Sequence, residues 1–161
     1  MSRLIIAAVL FCIVLSGCSS NTAPAQAARV VSVHDAWVKA ADHGMTAAFA
    51  HLRNDSDQQV RILSATTPVA QRVELHEVVP DGSGAMKMQP KQGGFAIAAN
   101  SDVELAPGAD HLMLMDLTTK LTPGSDVEIA VTFDDGSTLP ITASVRDFPG
   151  ADEHYDPGAH G

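Results

Sequence analysis

Cysteine is nearly absent. The chain has two, Cys12 and Cys18, and both fall in its first 18 residues. From Ser19 onward there is no thiol, so the body closes no disulfide and offers no thiolate to a metal. Basic charge is also scarce: 10 Lys and Arg face 19 Asp and Glu, for a formal net charge of -9. Such a surface excludes charge-driven binding to nucleic acid or anionic lipid. Aromatic residues make up 4%, no long stretch repeats with a helical period, and no G-x-S-x-G or H-E-x-x-H motif is present. Hydrolytic enzymes with those devices are therefore excluded, and an enzyme is not expected. Hydrophobic residues at 45% and charged residues at 18% still suit one domain with a proper core.

Only one long apolar run exists, Leu4 to Leu15, preceded by Arg3 and followed by Ser16-Gly17-Cys18. It is too short to span a bilayer comfortably. Leu15-Ser16-Gly17-Cys18 resembles the bacterial lipobox, which implies a signal peptide over 1–17 and a lipid anchor on Cys18. The expected location is extracytoplasmic, held to the cell membrane by lipid. Residues 18–29 (CSSNTAPAQAAR) are small and polar and read as the lipidated cysteine and a flexible tether.

From Val30 the texture changes to short β-like runs between turn residues. Strands are expected at Val30–Lys39, Met45–Arg53, Gln59–Thr66, Arg72–Val79, Ala85–Gln89, Gly94–Ile97, Asp102–Leu105, His111–Leu117, Asp126–Phe133 and Leu139–Asp147. The breaks carry Asn, Asp, Gly and Pro, which supply the φ values that tight turns need. Asp135-Gly136 marks the clearest hairpin. The pattern predicts an all-β sandwich with Greek-key links over residues 30–147, followed by a flexible tail over 148–161.

Methionine is what the body has in place of cysteine. Five of the six methionines lie there: Met45, Met86, Met88, Met113 and Met115. Side chains at i and i+2 of a strand share a face, so His111 pairs with Met113, and Met86 with Met88. His76 and Met88 are equidistant from Gly82, so a hairpin centred there would set them nearly opposite each other. Thioethers are soft and neutral and suit Cu(I); imidazole is borderline and suits copper too, while the pair without thiolate or carboxylate disfavours Zn²⁺. The same residues also read as core filling, since methionine at alternate strand positions commonly packs. Met115 fits the core as well as a site. Met45 and His51 have no partner visible in the sequence and read as structural.

The stretch from His76 to Met115 (HEVVPDGSGAMKMQPKQGGFAIAANSDVELAPGADHLMLM) resembles the PCuAC family of extracytoplasmic copper(I) chaperones. The shared pattern is a His, a Met about a dozen residues on, and His-x-Met about two dozen further, here His76, Met88, His111 and Met113. Ala36-Trp37-Val38, Val73-Glu74-Leu75-His76 and Met88-Gln89-Pro90 add to it, so the similarity covers about Val33 to Val145. The resemblance implies a cupredoxin-like fold, one Cu(I) held by those four residues, and delivery of copper to the CuA centre of cytochrome c oxidase, through its subunit II or its assembly factors. A monomer carrying copper as cargo is expected. Some members have Met directly after the first His; here Glu77 stands there, so His76 must make the contact. Met86 is a substitute for Met88, and His154 and His160 in the acidic tail are a second candidate metal site suited to Cu(II).

Two other functions use the same fold. A copper-sequestering lipoprotein would hold the metal identically and differ only in its fate. An electron-transfer cupredoxin needs a Cys ligand, and the body has none.

Overall fold

A computed structural model describes residues 26–150 and the backbone of His154 and Tyr155. The signal segment, Cys18 and His160 lie outside the described residues. The chain forms a short helix α1 (Ala27–Val30) and strands β1 (Val31–Lys39), β2 (Thr46–Asn54), β3 (Val60–Thr66), β4 (Ala70–Pro80), β5 (Met86–Pro90), β6 (Phe95–Ile97), β7 (Asp102–Leu105), β8 (His111–Leu117), β9 (Asp126–Phe133), β10 (Thr138–Arg146) and β11 (His154–Tyr155). No helix among the described residues is long and apolar enough to cross a membrane.

The strands run in the order β4-β8-β2-β1-β10-β9-β3, and β3 returns to β4 where Ala65 meets Val73. This closes a barrel. β6 extends it beyond β3, β7 beyond β2, and β5 with β11 beyond β4. The non-sequential neighbours β2–β8, β4–β8 and parallel β1–β10 are the crossovers that the Greek-key pattern requires. The fold is all-β and cupredoxin-like.

Alternation fills the barrel. Val127, Ile129, Val131 and Phe133 of β9 point inward with Val38, Leu52, Ile62, Leu112 and Leu114. Two strands depart from the usual one-sided pattern of an antiparallel sheet. β2 and β8 are buried on both faces over their first five residues. Their inward residues join the barrel core. Their outward residues, Ala47, Phe49, Met113 and Met115, join Met88 in a second apolar cluster. Trp37 and Val78 pack against that outer cluster.

The domain begins before Val30, inside the segment expected to be tether. Ala27 N–H donates to Asp135 Oδ2 at 2.7 Å and Ala28 N–H to Ser137 Oγ at 3.0 Å, which pins α1 to the β9–β10 turn. Beyond β10 the chain stays on the outer face at Phe148, whose ring meets Trp37 edge-on at 5.3 Å, and at Gly150, whose carbonyl accepts from Lys39 Nζ at 2.5 Å. The two-residue β11, not anticipated from the sequence, pairs in parallel with β5.

Two adjacent glycines separate backbone strain from crowding. Gly93 and Gly94 have φ of 79° and 76°. A Cβ on Gly94 would sit 2.0 Å from the Ile62 carbonyl oxygen, whereas one on Gly93 meets nothing within 4 Å. Gly93→Ala should cost about 1–2 kcal/mol, the left-handed backbone penalty. Gly94→Ala adds a clash with backbone and should cost more than about 2 kcal/mol, lowering Tm by at least roughly 5–10 °C. Thermal unfolding of the two variants checks this; equal losses would refute it.

Candidate metal centre

Three neighbouring strands bring the His/Met residues together. In the β4–β8 ladder His76 lies directly opposite His111, Glu74 opposite Met113, and Arg72 opposite Met115. Opposed residues in a ladder share a face, so all six point outward from the barrel. The two imidazoles meet edge to face with centroids 5.4 Å apart. On the other side of β4, Met88 of β5 lies opposite Val78, and His76 opposite Pro90. Met88 and Met113 are therefore each one diagonal step from His76, about 7–8 Å away and somewhat less between Cβ atoms, on opposite sides of it along the strand.

This corrects the expected register. His76 was expected to face Met88, but the hairpin closes on Asp81 N–H donating to Ala85 O at 2.7 Å. The Asp81 carboxylate also accepts from the Ser83 amide and hydroxyl and from the Ala85 amide. That cap centres the turn on Ser83 rather than Gly82 and moves β5 by two residues. A two-residue shift preserves the face, so Met88 remains on the side of His76.

The face is closed to solvent. His76 is 0% exposed and His111 3%, with Met88 at 6% and Met113 and Met115 at 4%. Phe49 stacks obliquely 6.2 Å from His111 and 4.5 Å from Trp37, walling the β2 side. Met86, on the same face of β5, is 48% exposed, so it lies at the edge of the cluster rather than inside it. The Glu77 side chain points to the opposite face, where it accepts from Gln89 Nε2 at 3.1 Å and lies 3.5 Å from Lys91. Lys91 also clamps both oxygens of Asp110 at 2.9 and 2.8 Å, which ties the end of β5 to the turn that presents His111.

Hydrogen bonds set which ring nitrogen carries the lone pair. His76 Nε2 lies 2.9 Å from Glu74 Oε2, and His111 Nδ1 lies 2.9 Å from the Ala109 carbonyl oxygen. A carbonyl or ionised carboxylate only accepts, so each of those nitrogens carries a hydrogen, and in the neutral ring the other nitrogen holds the lone pair. The lone pairs then sit on His76 Nδ1 and His111 Nε2, both buried in the face. Burial pushes the His76 pKa down from 6.5, against an opposing pull from the Glu74 hydrogen bond and charge. Burial would raise the Glu74 carboxyl, but hydrogen bonds from His76 and Arg72 outweigh it and hold it below its ordinary value. Arg72 Nε reaches Glu74 Oε1 at 2.9 Å, and its guanidinium also binds Asp116.

The arrangement offers two neutral imidazole nitrogens and methionine thioethers in a dry, apolar setting. No group of three or more His, Cys, Asp or Glu among the described residues could hold a metal ion, so a metal here depends on the thioethers. The donor set fits a soft monovalent cation. Glu74, bonded to His76 Nε2, is the residue of this face that sequence reasoning passed over. Its signal was the Glu74-x-His76 spacing, which puts carboxylate and ring on one strand face. Of the secondary candidates, the side chains of His154 and His160 are outside the description; the backbone of His154 pairs beside Lys87 and that of Tyr155 beside Met88.

Comparison with known proteins shows the family and the fold. Residues 31–145 match the family model "Putative lipoprotein LpqE-like". "Putative lipoprotein Lxx21020" of Leifsonia xyli subsp. xyli is 42% identical over 146 residues, covering 88% of this chain and 87% of its own. The solution structure of CuI-DR1885 from Deinococcus radiodurans is 33% identical, covers 81% of this chain and 87% of its own, and superposes with a TM-score of 0.59. The copper-bound PCuAC domain from PmoF2, 17% identical, covers 74% of this chain and 94% of its own with a TM-score of 0.61; at that identity it speaks for the fold alone.

The histidine titration should bear the mark of burial. With its folded pKa below 6.5, His76 favours the folded state while neutral. Its contribution is complete above about pH 6.5 and is lost as pH falls through the folded value. Ring resonances of the apo protein should place the His76 midpoint below 6.5, and Glu74→Gln should lower it further by removing the charge that supports the imidazolium. A midpoint above 6.5, or a rise in the variant, would contradict the assignment.

Proposed function

This chain belongs to the LpqE-like lipoprotein family, and from that membership and its His/Met face we propose that it is a membrane-anchored, extracytoplasmic copper(I) chaperone. One observation carries the reading: His76 and His111 stand opposed in a dry cluster of methionines, each ring oriented by a hydrogen bond on one nitrogen that leaves the other toward the cluster. The similar CuI-DR1885 protein of Deinococcus radiodurans, 33% identical, supports the same cargo.

On this reading one Cu(I) is held by His76 Nδ1, His111 Nε2 and the sulfur of Met113, with Met88 reaching from the other side of His76. Each ligand is neutral, so uptake releases no proton above the histidine range. Glu74 orients His76 and raises its basicity, the usual work of a carboxylate behind a metal-binding imidazole. Thioethers hold copper weakly one at a time, so a receiving site can replace them stepwise by ligand exchange. Cys18 would carry the lipid that keeps the domain at the membrane. The receiver would be the CuA site of cytochrome c oxidase, reached through subunit II or its assembly factors. No step calls for catalysis, and the chaperone is not an enzyme.

Competition against a chromophoric Cu(I) chelator tests the site. One equivalent should bind, and His111→Ala or Met113→Leu should weaken binding by more than the roughly 10–100-fold expected for Glu74→Ala. X-ray absorption of the loaded protein should show both nitrogen and sulfur neighbours. Unchanged affinity in a His76, His111, Met88 and Met113 quadruple variant would remove the site from consideration.

Delivery is tested separately from binding. In a strain lacking the protein and grown at low copper, CuA-dependent oxidase activity should fall and should return on adding copper. Normal oxidase activity with increased copper sensitivity would instead assign the protein to sequestration.

A further inference from the structure

We infer that His34 and His51 form a second, surface metal site that takes a borderline divalent cation such as Cu²⁺ or Zn²⁺, separate from the buried His/Met face. His34 of β1 and His51 of β2 are directly opposed in the antiparallel ladder. Their ring centroids are 6.3 Å apart and tilted by 46°. His51 is in turn directly opposed to Glu104 of β7, so three adjacent strands present imidazole, imidazole and carboxylate in one row on one face. Asp102 lies on the same face, its Oδ1 3.6 Å from His51 Nε2.

A backbone irregularity builds the row. His34 and Trp37 are three residues apart, and regular alternation would send them to opposite faces. The β1–β2 register shifts between them, and Asp35 takes a left-handed φ of 48°. This bulge turns both side chains outward. Trp37 closes the wall beside Phe49, and His34 comes to stand across from His51. Bulges re-aim side chains in this way next to functional sites, and the uncommon φ at a non-glycine residue marks a conformation that the fold maintains.

The donor chemistry differs from that of the buried face. Two imidazoles and a carboxylate, with no thioether in the row, suit Cu²⁺ or Zn²⁺ better than Cu⁺. His34, His51 and Glu104 are exposed, so ring and carboxylate rotations needed to close on an ion are not opposed by packing. Arg53 binds Asp102 at 2.9 Å and Asp55 at 2.7 Å. Asp102 is thereby partly engaged, which leaves Glu104 as the more available carboxylate. No three such side chains are already gathered round one point, so the site is an imidazole pair that an ion, Glu104 and water complete. It lies one step along β2 from Phe49, the ring that packs against His111. A divalent ion would thus be held on the same outer face as the buried site.

The test titrates the full chain, free of metal, with Zn²⁺ while ring resonances of each histidine are followed. One equivalent should move His34 and His51, and His34→Ala or His51→Ala should weaken binding at least tenfold while leaving Cu(I) stoichiometry intact. Cu²⁺ should bind more tightly than Zn²⁺ and broaden the same signals. An affinity unchanged within twofold in His51→Ala, or shifts confined to His154 and His160, would overturn the proposal. A protein that takes up no Cu(I) yet still moves these two rings would refute the chaperone reading and leave this one standing.

Discussion

The pairing of β4 with β8 is the constraint on which the rest depends. That ladder fixes His76 against His111 and Glu74 against Met113. It holds because β8 is packed from both sides: Leu112 and Leu114 face the barrel core, while His111, Met113 and Met115 face the outer cluster. A one-residue slip would exchange the two sets, driving imidazole into the barrel and leucine into the outer cluster. The site's geometry is therefore specified by the same hydrophobic pattern that folds the barrel.

Such an arrangement removes the conflict between methionine as core and methionine as ligand. Burying one methionine side chain is worth about 1.5–3 kcal/mol, and Met88, Met113 and Met115 are all buried, so the same side chains that offer sulfur also stabilise the outer cluster by apolar burial. The two buried imidazoles would work against that stabilisation if their polar nitrogens lacked hydrogen bonds. Glu74 and the Ala109 carbonyl supply one to each ring, and in the neutral ring the same bonds select the tautomer. The carboxylate under His76 also places a negative charge close to where a monovalent cation would sit, while staying out of its immediate ligand set.

Much of this was legible in the sequence because β structure writes its turns and its alternation openly. Asp102–Leu105, His111–Leu117 and Asp126–Phe133 begin and end where Asn, Asp, Gly and Pro said they should. The four candidate ligands fell on one face because i, i+2 alternation survives any even shift. What the sequence hid was set by contacts among side chains and backbone. The Asp81 cap moved the β5 register by two. The bulge at Asp35 broke the parity between His34 and Trp37, so His51, read as structural, acquired a partner across the ladder. β11 was invisible because two residues carry no period, and the start of the domain was missed because Ala27 is held by Asp135, far along the chain.

The position of β5 bears on how a buried ligand set could be emptied. His76, Met88, His111 and Met113 are nearly shielded, and a partner could not reach His111 without displacing something. The barrel closes through β3 and β4, so β5 lies outside the closed ring, held to β4 on one side and on the other to the two residues of β11. A strand outside the closed ring can open locally without opening the barrel. Loss of the β5 pairing would bare Met88 and one flank of His76 while the barrel core, which β5 does not help close, stays intact. His111 and Met113, anchored in β8 between two packed faces, would remain in place as the last groups to hold the metal. If the four residues hold copper as proposed, their division between a central and a peripheral strand would give the site a fixed side and a releasable side.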